Sequence, residues 1–186
     1  MKGRPSGRGF ARTYMNPSTG GNRERTGPVS KRNKVIEDNL TDNGRIVEGE
    51  YTMVMLNDEM KETFKKIALF PVATASAAGV PNVAPIAFVS LVSDDTIWLT
   101  DNFMKKTLAN VLENPKVAIY IWDPESKKCF QIKGDVTVKT SGPEYEKMKK
   151  TVHEKKPGIP AKSLLEMKVT EVFECNAGPD AGKKLL

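Results

Sequence analysis

Thr100-Asp101-Asn102-Phe103-Met104-Lys105-Lys106-Thr107-Leu108-Ala109-Asn110-Val111 carries a short β-type run, Thr96 to Leu99, into a helical pattern that stops before Pro115. Two lysines and a threonine therefore sit where a strand hands over to the first turn of a helix. The first N–H groups of a helix have no acceptor within it, and the aligned peptide dipoles make that end electropositive. Lys105 and Lys106 add mobile positive charge there, and Thr107 adds a hydroxyl donor. Such chemistry suits a phosphate monoester. The competing structural reading is a capped helix start with two solvated lysines.

Upstream of this corner, Asn57 or Asp58 is placed to cap a helix whose apolar positions Met60, Phe64, Ile67 and Ala68 recur at helical spacing, with Pro71 as its stop. Val72 to Ala78, Asn82 to Val92 and Thr96 to Thr100 are strand-like and are separated by the tight turns Gly79-Val80-Pro81 and Asp94-Asp95. Three strands so connected predict an antiparallel meander. Downstream, the helix from about Lys105 to Glu113 is predicted to bury Leu108, Val111 and Leu112. Val117 to Trp122 forms the next strand, ended by Asp123-Pro124. Residues 129–139 alternate with period two, Phe130, Ile132, Gly134, Val136 and Val138 facing the core. Ser141-Gly142-Pro143-Glu144 has the S-x-x-E form of a capping box before a helix that turns Tyr145, Met148 and Val152 inward. A loop from Lys155 to Ser163 and a last strand from Leu164 to Cys175 complete the pattern. The fold class is mainly β with α: six or more antiparallel strands with flanking helices, closing into a small barrel.

The formal charge of +6 on 186 residues is unevenly spread. Residues 1–34 hold nine Lys or Arg against one acid, Glu24, so the remaining 152 residues carry a net charge of −2. Any affinity for nucleic acid belongs to the N-terminal segment, not to the folded part. Residues 1–50, rich in Gly, Arg, Asn, Ser and Thr, lack a clean apolar period and are expected to be a disordered basic extension. A nucleic-acid-binding arm, a partner-docking arm, and a natural start further downstream near Met53 or Met55 are the alternatives. Residues 51–186 are expected to be the folded domain.

Several function classes are excluded or disfavoured. No run approaches the roughly 20 apolar residues of a membrane helix, and the basic N-terminus lacks a signal-peptide core, in keeping with a cytoplasmic protein. Cys129 and Cys175 are too few and too far apart in sequence for a zinc site or a disulfide scaffold. The one histidine, His153, has no nucleophile or carboxylate framed beside it and is expected to be solvated near a helix end, which argues against a hydrolase. No G-x-G-x-x-G and no phosphate loop is present. No catalytic acid, base or metal ligand set is identified. The stretch Pro81-Asn82-Val83-Ala84-Pro85-Ile86-Ala87 is different in kind. Its proline and its small residues would let a flat ring approach the main chain, or else mark an irregular edge strand.

From Glu59 to about Leu186 the chain resembles the flavin-binding split-barrel proteins of the pyridoxamine 5'-phosphate oxidase superfamily, and looks most similar to small FMN-binding proteins of anaerobes. The resemblance lies in the order of Phe70 to Ser76, the Gly79-Val80-Pro81-Asn82 turn, Val83 to Ala87, Met104 to Val111, Pro115 to Ala118, Phe130 to Gly134 and Gly142-Pro143-Glu144. It implies a split β-barrel that binds FMN. Lys106 and Thr107, with Lys105 alongside, would hold the phosphate. Ala84, Pro85, Ile86 and Ala87 would line the isoalloxazine, and Thr100, Asp101 and Asn102 would lie along the ring and ribityl chain. It further implies a homodimer with the flavin at the interface, Trp122 and Gln131 being the residues a second subunit would contribute. The basic residues that grip pyridoxamine phosphate in the oxidase have no counterpart here, and Pro85-Ile86 replaces more polar residues. The resemblance thus points to hydride or electron transfer rather than to oxidation of that substrate, with a deazaflavin (F420)-dependent reductase as the variant.

Overall fold

A computed structural model describes residues 54–186. The expected basic extension of residues 1–50 lies outside the described residues. Helix α1 (Asp58–Lys66) starts where Asn57 Oδ1 accepts a hydrogen bond of 2.9 Å from the Met60 N–H, and it buries Met60, Thr63 and Phe64. Helices α2 (Lys106–Glu113) and α3 (Pro143–Lys155) complete the helical set among the described residues. The strands are β1 (Phe70–Ala75), β2 (Pro81–Ile86), β3 (Val89–Ser93), β4 (Thr96–Asp101), β5 (Lys116–Asp123), β6 (Lys128–Lys139) and β7 (Ser163–Glu174).

All strand pairs are antiparallel, in one seven-stranded sheet of order β2-β1-β5-β6-β7-β4-β3. The expected meander is not formed. The run from Asn82 to Val92 breaks at Ala87-Phe88, so that β2 pairs with β1 on one edge while β3 pairs with β4 on the other. This break dictates the shape. In a flat sheet the two edge strands would stand six spacings, about 29 Å, apart, but three Cα steps from Ile86 to Val89 reach at most about 11 Å. The sheet must curl until the end of β2 and the start of β3 come together, and because these two strands do not pair the barrel is split there.

The inward residues fill it. Val72, Ile97, Leu99, Ile119, Ile121, Ile132, Leu165, Met167 and Val172 are fully buried, and the alternation expected over residues 129–139 is observed, with Phe130, Ile132, Gly134 and Val136 buried. A second apolar cluster lies outside the barrel. There α3 lays Tyr145, Met148 and Val152 against Trp98 of β4 and Leu164 of β7. Two local expectations fail. Ser141 does not cap α3; the N-cap is Gly142, at φ 95°, with Pro143 entering the first turn. His153 is half-buried rather than solvated, its Nε2 lying 2.8 Å from the Ile159 carbonyl oxygen and tying the end of α3 to the following loop.

The β6–β7 ladder shifts register between Lys133 and Gly134. At that bulge a Cβ on Gly134 would lie 2.3 Å from the Lys168 carbonyl oxygen and 2.8 Å from Met167 side-chain atoms. The backbone contact cannot relax by a rotamer change. Gly134→Ala is therefore expected to destabilise the fold by about 1–3 kcal/mol, the usual range for overpacking, seen as a lower urea midpoint at unchanged slope.

Candidate functional site

The strand-to-helix corner is built by two side chains that the sequence placed along a ligand. Asp101, 1% exposed, accepts at Oδ1 from the Met104 N–H (2.8 Å) and at Oδ2 from the Ser163 hydroxyl (3.3 Å). Asn102 Oδ1 accepts from the Ala161 N–H at 3.0 Å, and the Ala161 carbonyl oxygen accepts from the Tyr145 hydroxyl at 3.1 Å. Ala161 is thereby held at φ 44°, a conformation rare for a residue with a Cβ. Both side chains are thus engaged inside the chain, and what they present outward is the rigid corner itself.

That corner delivers α2 with its first turn bare. Lys105 at the N-cap position makes no side-chain cap, and no acid lies in the first turn. The first bond closing the helix runs from the Ala109 N–H to the Lys105 carbonyl oxygen, 3.0 Å, and among the described residues the N–H groups of Lys106, Thr107 and Leu108 find no acceptor. Lys105 and Lys106 are exposed and make no ion pair among the described residues. Unpaired donors, helix dipole and two ammonium groups coincide at one spot.

Helix α2 packs Val111 and, in part, Leu108 on the core as expected, but its seat is rotated away from Leu112. Thr107, Asn110 and Val111 are buried, whereas Leu112 is 66% exposed. The reason is a polar cluster that sequence reasoning missed. Asn82 of β2 donates to both Thr107 Oγ1 (3.1 Å) and Thr74 Oγ1 (3.2 Å), and Asn110 donates to the same Thr74 oxygen at 3.0 Å. Polar residues three apart on a helix were its one visible signal; their partners on β1 and β2 lie more than twenty residues away. This cluster fixes the start of α2 against β2.

The other assigned residues divide by face. Ala84 and Ile86 share the inner face with their partners Val72 and Phe70, and Pro85 lies outside opposite Pro71. Ala87 is exposed at the crossing between the two edges. As an edge strand, β2 leaves one side of its main chain without a strand partner among the described residues. Thr100 is buried on β4. Trp122 on β5 and Gln131 on β6 are brought to the outer face, two and three strands along from β2, so within one chain they do not join the corner. They stand in an exposed apolar field with Val83 (66% exposed) and Tyr120 (41%). A shallow trough of about 430 Å³ crosses this face, floored by Ala73 and Ala118 and edged by Lys116 and Lys133. The Cys129 thiol hydrogen-bonded to Tyr120 pushes the phenol up to about 12, and burial pushes the neighbouring Cys175 thiol up as well. Among the described residues no three His, Cys, Asp or Glu side chains are grouped to hold a metal, and no helix is long and apolar enough to cross a membrane.

The family model for pyridoxamine 5'-phosphate oxidase matches residues 56–176, and the chain belongs to that family. It is 37% identical over 135 residues to an uncharacterized protein of Methanocaldococcus jannaschii, covering 71% of this chain and 89% of that one. The structure of HupZ from Group A Streptococcus superposes with a TM-score of 0.60 at 30% identity, over 69% of this chain and all of that one. An FMN-binding protein of Syntrophomonas wolfei (TM-score 0.53, 21% identity, 60% of this chain and 79% of that one) and an F420 reductase (0.52, 14%, 63% and 98%) share the fold alone.

Thr74 accepts two amide donors at once, so Thr74→Val leaves the Asn110 amide without its acceptor and Asn82 with Thr107 alone, at constant side-chain shape. The expected loss is about 1–3 kcal/mol of stability, the cost of unpaired buried donors, measured by urea denaturation.

Proposed function

We propose that this protein is an FMN-binding flavoprotein, acting in hydride or electron transfer as a homodimer with the flavin at the subunit interface. The observation that carries the reading is the bare start of α2. Three N–H groups, and Lys105 and Lys106, all without a partner among the described residues, stand on a corner fixed by Asp101 and Asn102. A phosphate monoester supplies the acceptors and the negative charge that this end lacks. Family membership supports the same assignment.

In this reading the ammonium groups and the N–H groups of Lys106 and Thr107 hold the phosphate. Thr107 contributes its main chain most directly, since its hydroxyl is buried against Asn82. The free edge of β2, from Ala84 to Ala87, receives the ring through main-chain donors and acceptors, and the main chain of Thr100 to Asn102 bounds the ribityl chain. Trp122 and Gln131 reach the ring only from a second copy, and the exposed apolar field around them is the surface that copy would cover. The flavin, when bound, supplies one- and two-electron chemistry. The chain's own part is to bind, orient and exclude water, because no histidine or free carboxylate stands at the corner. His153, on α3, is committed to the carbonyl oxygen of Ile159 in the loop that follows.

FMN and riboflavin differ only in the phosphate, so they separate the two ends of the site. Lys106→Ala removes one charge-assisted hydrogen bond, worth roughly 1.5–3 kcal/mol. FMN affinity is expected to fall about 10- to 100-fold with riboflavin affinity unchanged, in fluorescence titrations of both ligands. An undiminished preference for FMN in Lys106→Ala and in the double variant with Lys105→Ala moves the phosphate elsewhere.

A further inference from the structure

Phe88, the residue that carries the chain from one sheet edge to the other, also walls a second cavity of about 210 Å³ between α3 and the outer face of β3 and β4. Trp98, Met148 and Val152 make its apolar lining. The Trp98 indole N–H is committed to Glu166 Oε2 at 3.2 Å, so the tryptophan offers the cavity its ring and not its donor. Thr100 is 4% exposed, and its hydroxyl has no partner among the described residues. Every fully enclosed side-chain polar atom among them is hydrogen-bonded, so this oxygen is not sealed off, and Thr100 lines the cavity. The rim carries Lys147 and Lys155, neither in an ion pair among the described residues and separated by two turns of α3, about 12 Å. Lys147 Nζ stands 5.8 Å from the Trp98 ring centre. No carboxylate is among the described residues that line the cavity.

Apolar walls, an aromatic floor, one buried hydroxyl without a partner and an uncompensated cationic rim select one kind of ligand. We propose that this cavity binds a small aromatic carboxylate of one or two rings, its ring against Trp98 and Phe88, its carboxylate at Lys147. Aromatic faces favour a flat apolar body, and an unpaired ammonium beside it favours one negative charge over a neutral isostere. The cavity adjoins the corner through consecutive residues, Ala87 to Phe88 and Thr100 to Asp101. Its role as the substrate pocket of the proposed flavoprotein rests on that reading, whereas the binding site itself does not.

Calorimetry on the full chain with 2-naphthoate and with neutral 2-naphthamide tests it. The acid is expected to bind saturably and about tenfold or more tightly than the amide. Lys147→Met should bring the acid down to the amide's level while leaving the amide unchanged, and Val152→Trp, which fills the cavity, should abolish both. FMN added first should leave naphthoate binding in place. Equal affinity of acid and amide, the absence of saturable binding, insensitivity to Lys147→Met, or competition by FMN would each overturn the proposal. A protein that takes up no FMN but still binds naphthoate in the Lys147-dependent way overturns the flavin reading alone.

Discussion

Two residues, Ala87 and Phe88, join strands on opposite edges of a seven-stranded sheet, and that short link governs everything else in the molecule. It forces the sheet to curl, which creates an interior for the fully buried aliphatic side chains and an exterior on which α3 finds a separate apolar seat. It also leaves the main chain of β2 without a neighbour on one side. A barrel closed by hydrogen bonds would have no such free edge. The place where the sheet fails to close is where the proposed flavin ring would lie.

Beside that edge the polar residues are divided between holding and presenting. Asp101 and Asn102 spend their side chains on Met104, Ser163 and Ala161, and the Asn82 amide ties Thr107 to Thr74. The result is a helix start that cannot drift relative to β2, with its own donors unspent. A net charge of −2 over residues 35–186 makes this local positive end a feature of placement and not of composition. Electrostatic sites of this kind gain from rigidity, since no reorganisation is needed when the anion arrives.

The parts of this design legible in the sequence are those with local causes. The alternation in β6, the Asn57 cap of α1 and the inward set of α3 depend on neighbours within a few residues, and all three are present as expected. The position of the strand-to-helix corner was legible for the same reason. The break at Ala87-Phe88 was not, because neither residue is a turn former and the irregularity signalled by Pro85 and its small neighbours does not say where the strand ends; the pairing of β2 and β3 with different partners does. The outward turn of Leu112 on α2 was not legible because a leucine outranks Thr107 and Asn110 on any apolar scale, while Thr74 and Asn82, which draw those residues inward, come from distant strands. Asp101 is similar: nothing in its own segment reveals Ser163 as a partner.

The central claim is that the corner and the open edge of β2 together hold a flavin phosphate and its ring. Purifying the full chain from cells and recording its absorbance, followed by mass spectrometry of whatever denaturation releases, tests it most directly. A yellow protein that releases FMN in a ratio near one per chain is the predicted result. A colourless protein that also fails to take up added FMN would contradict the account, and a released deazaflavin would keep the site but replace its occupant.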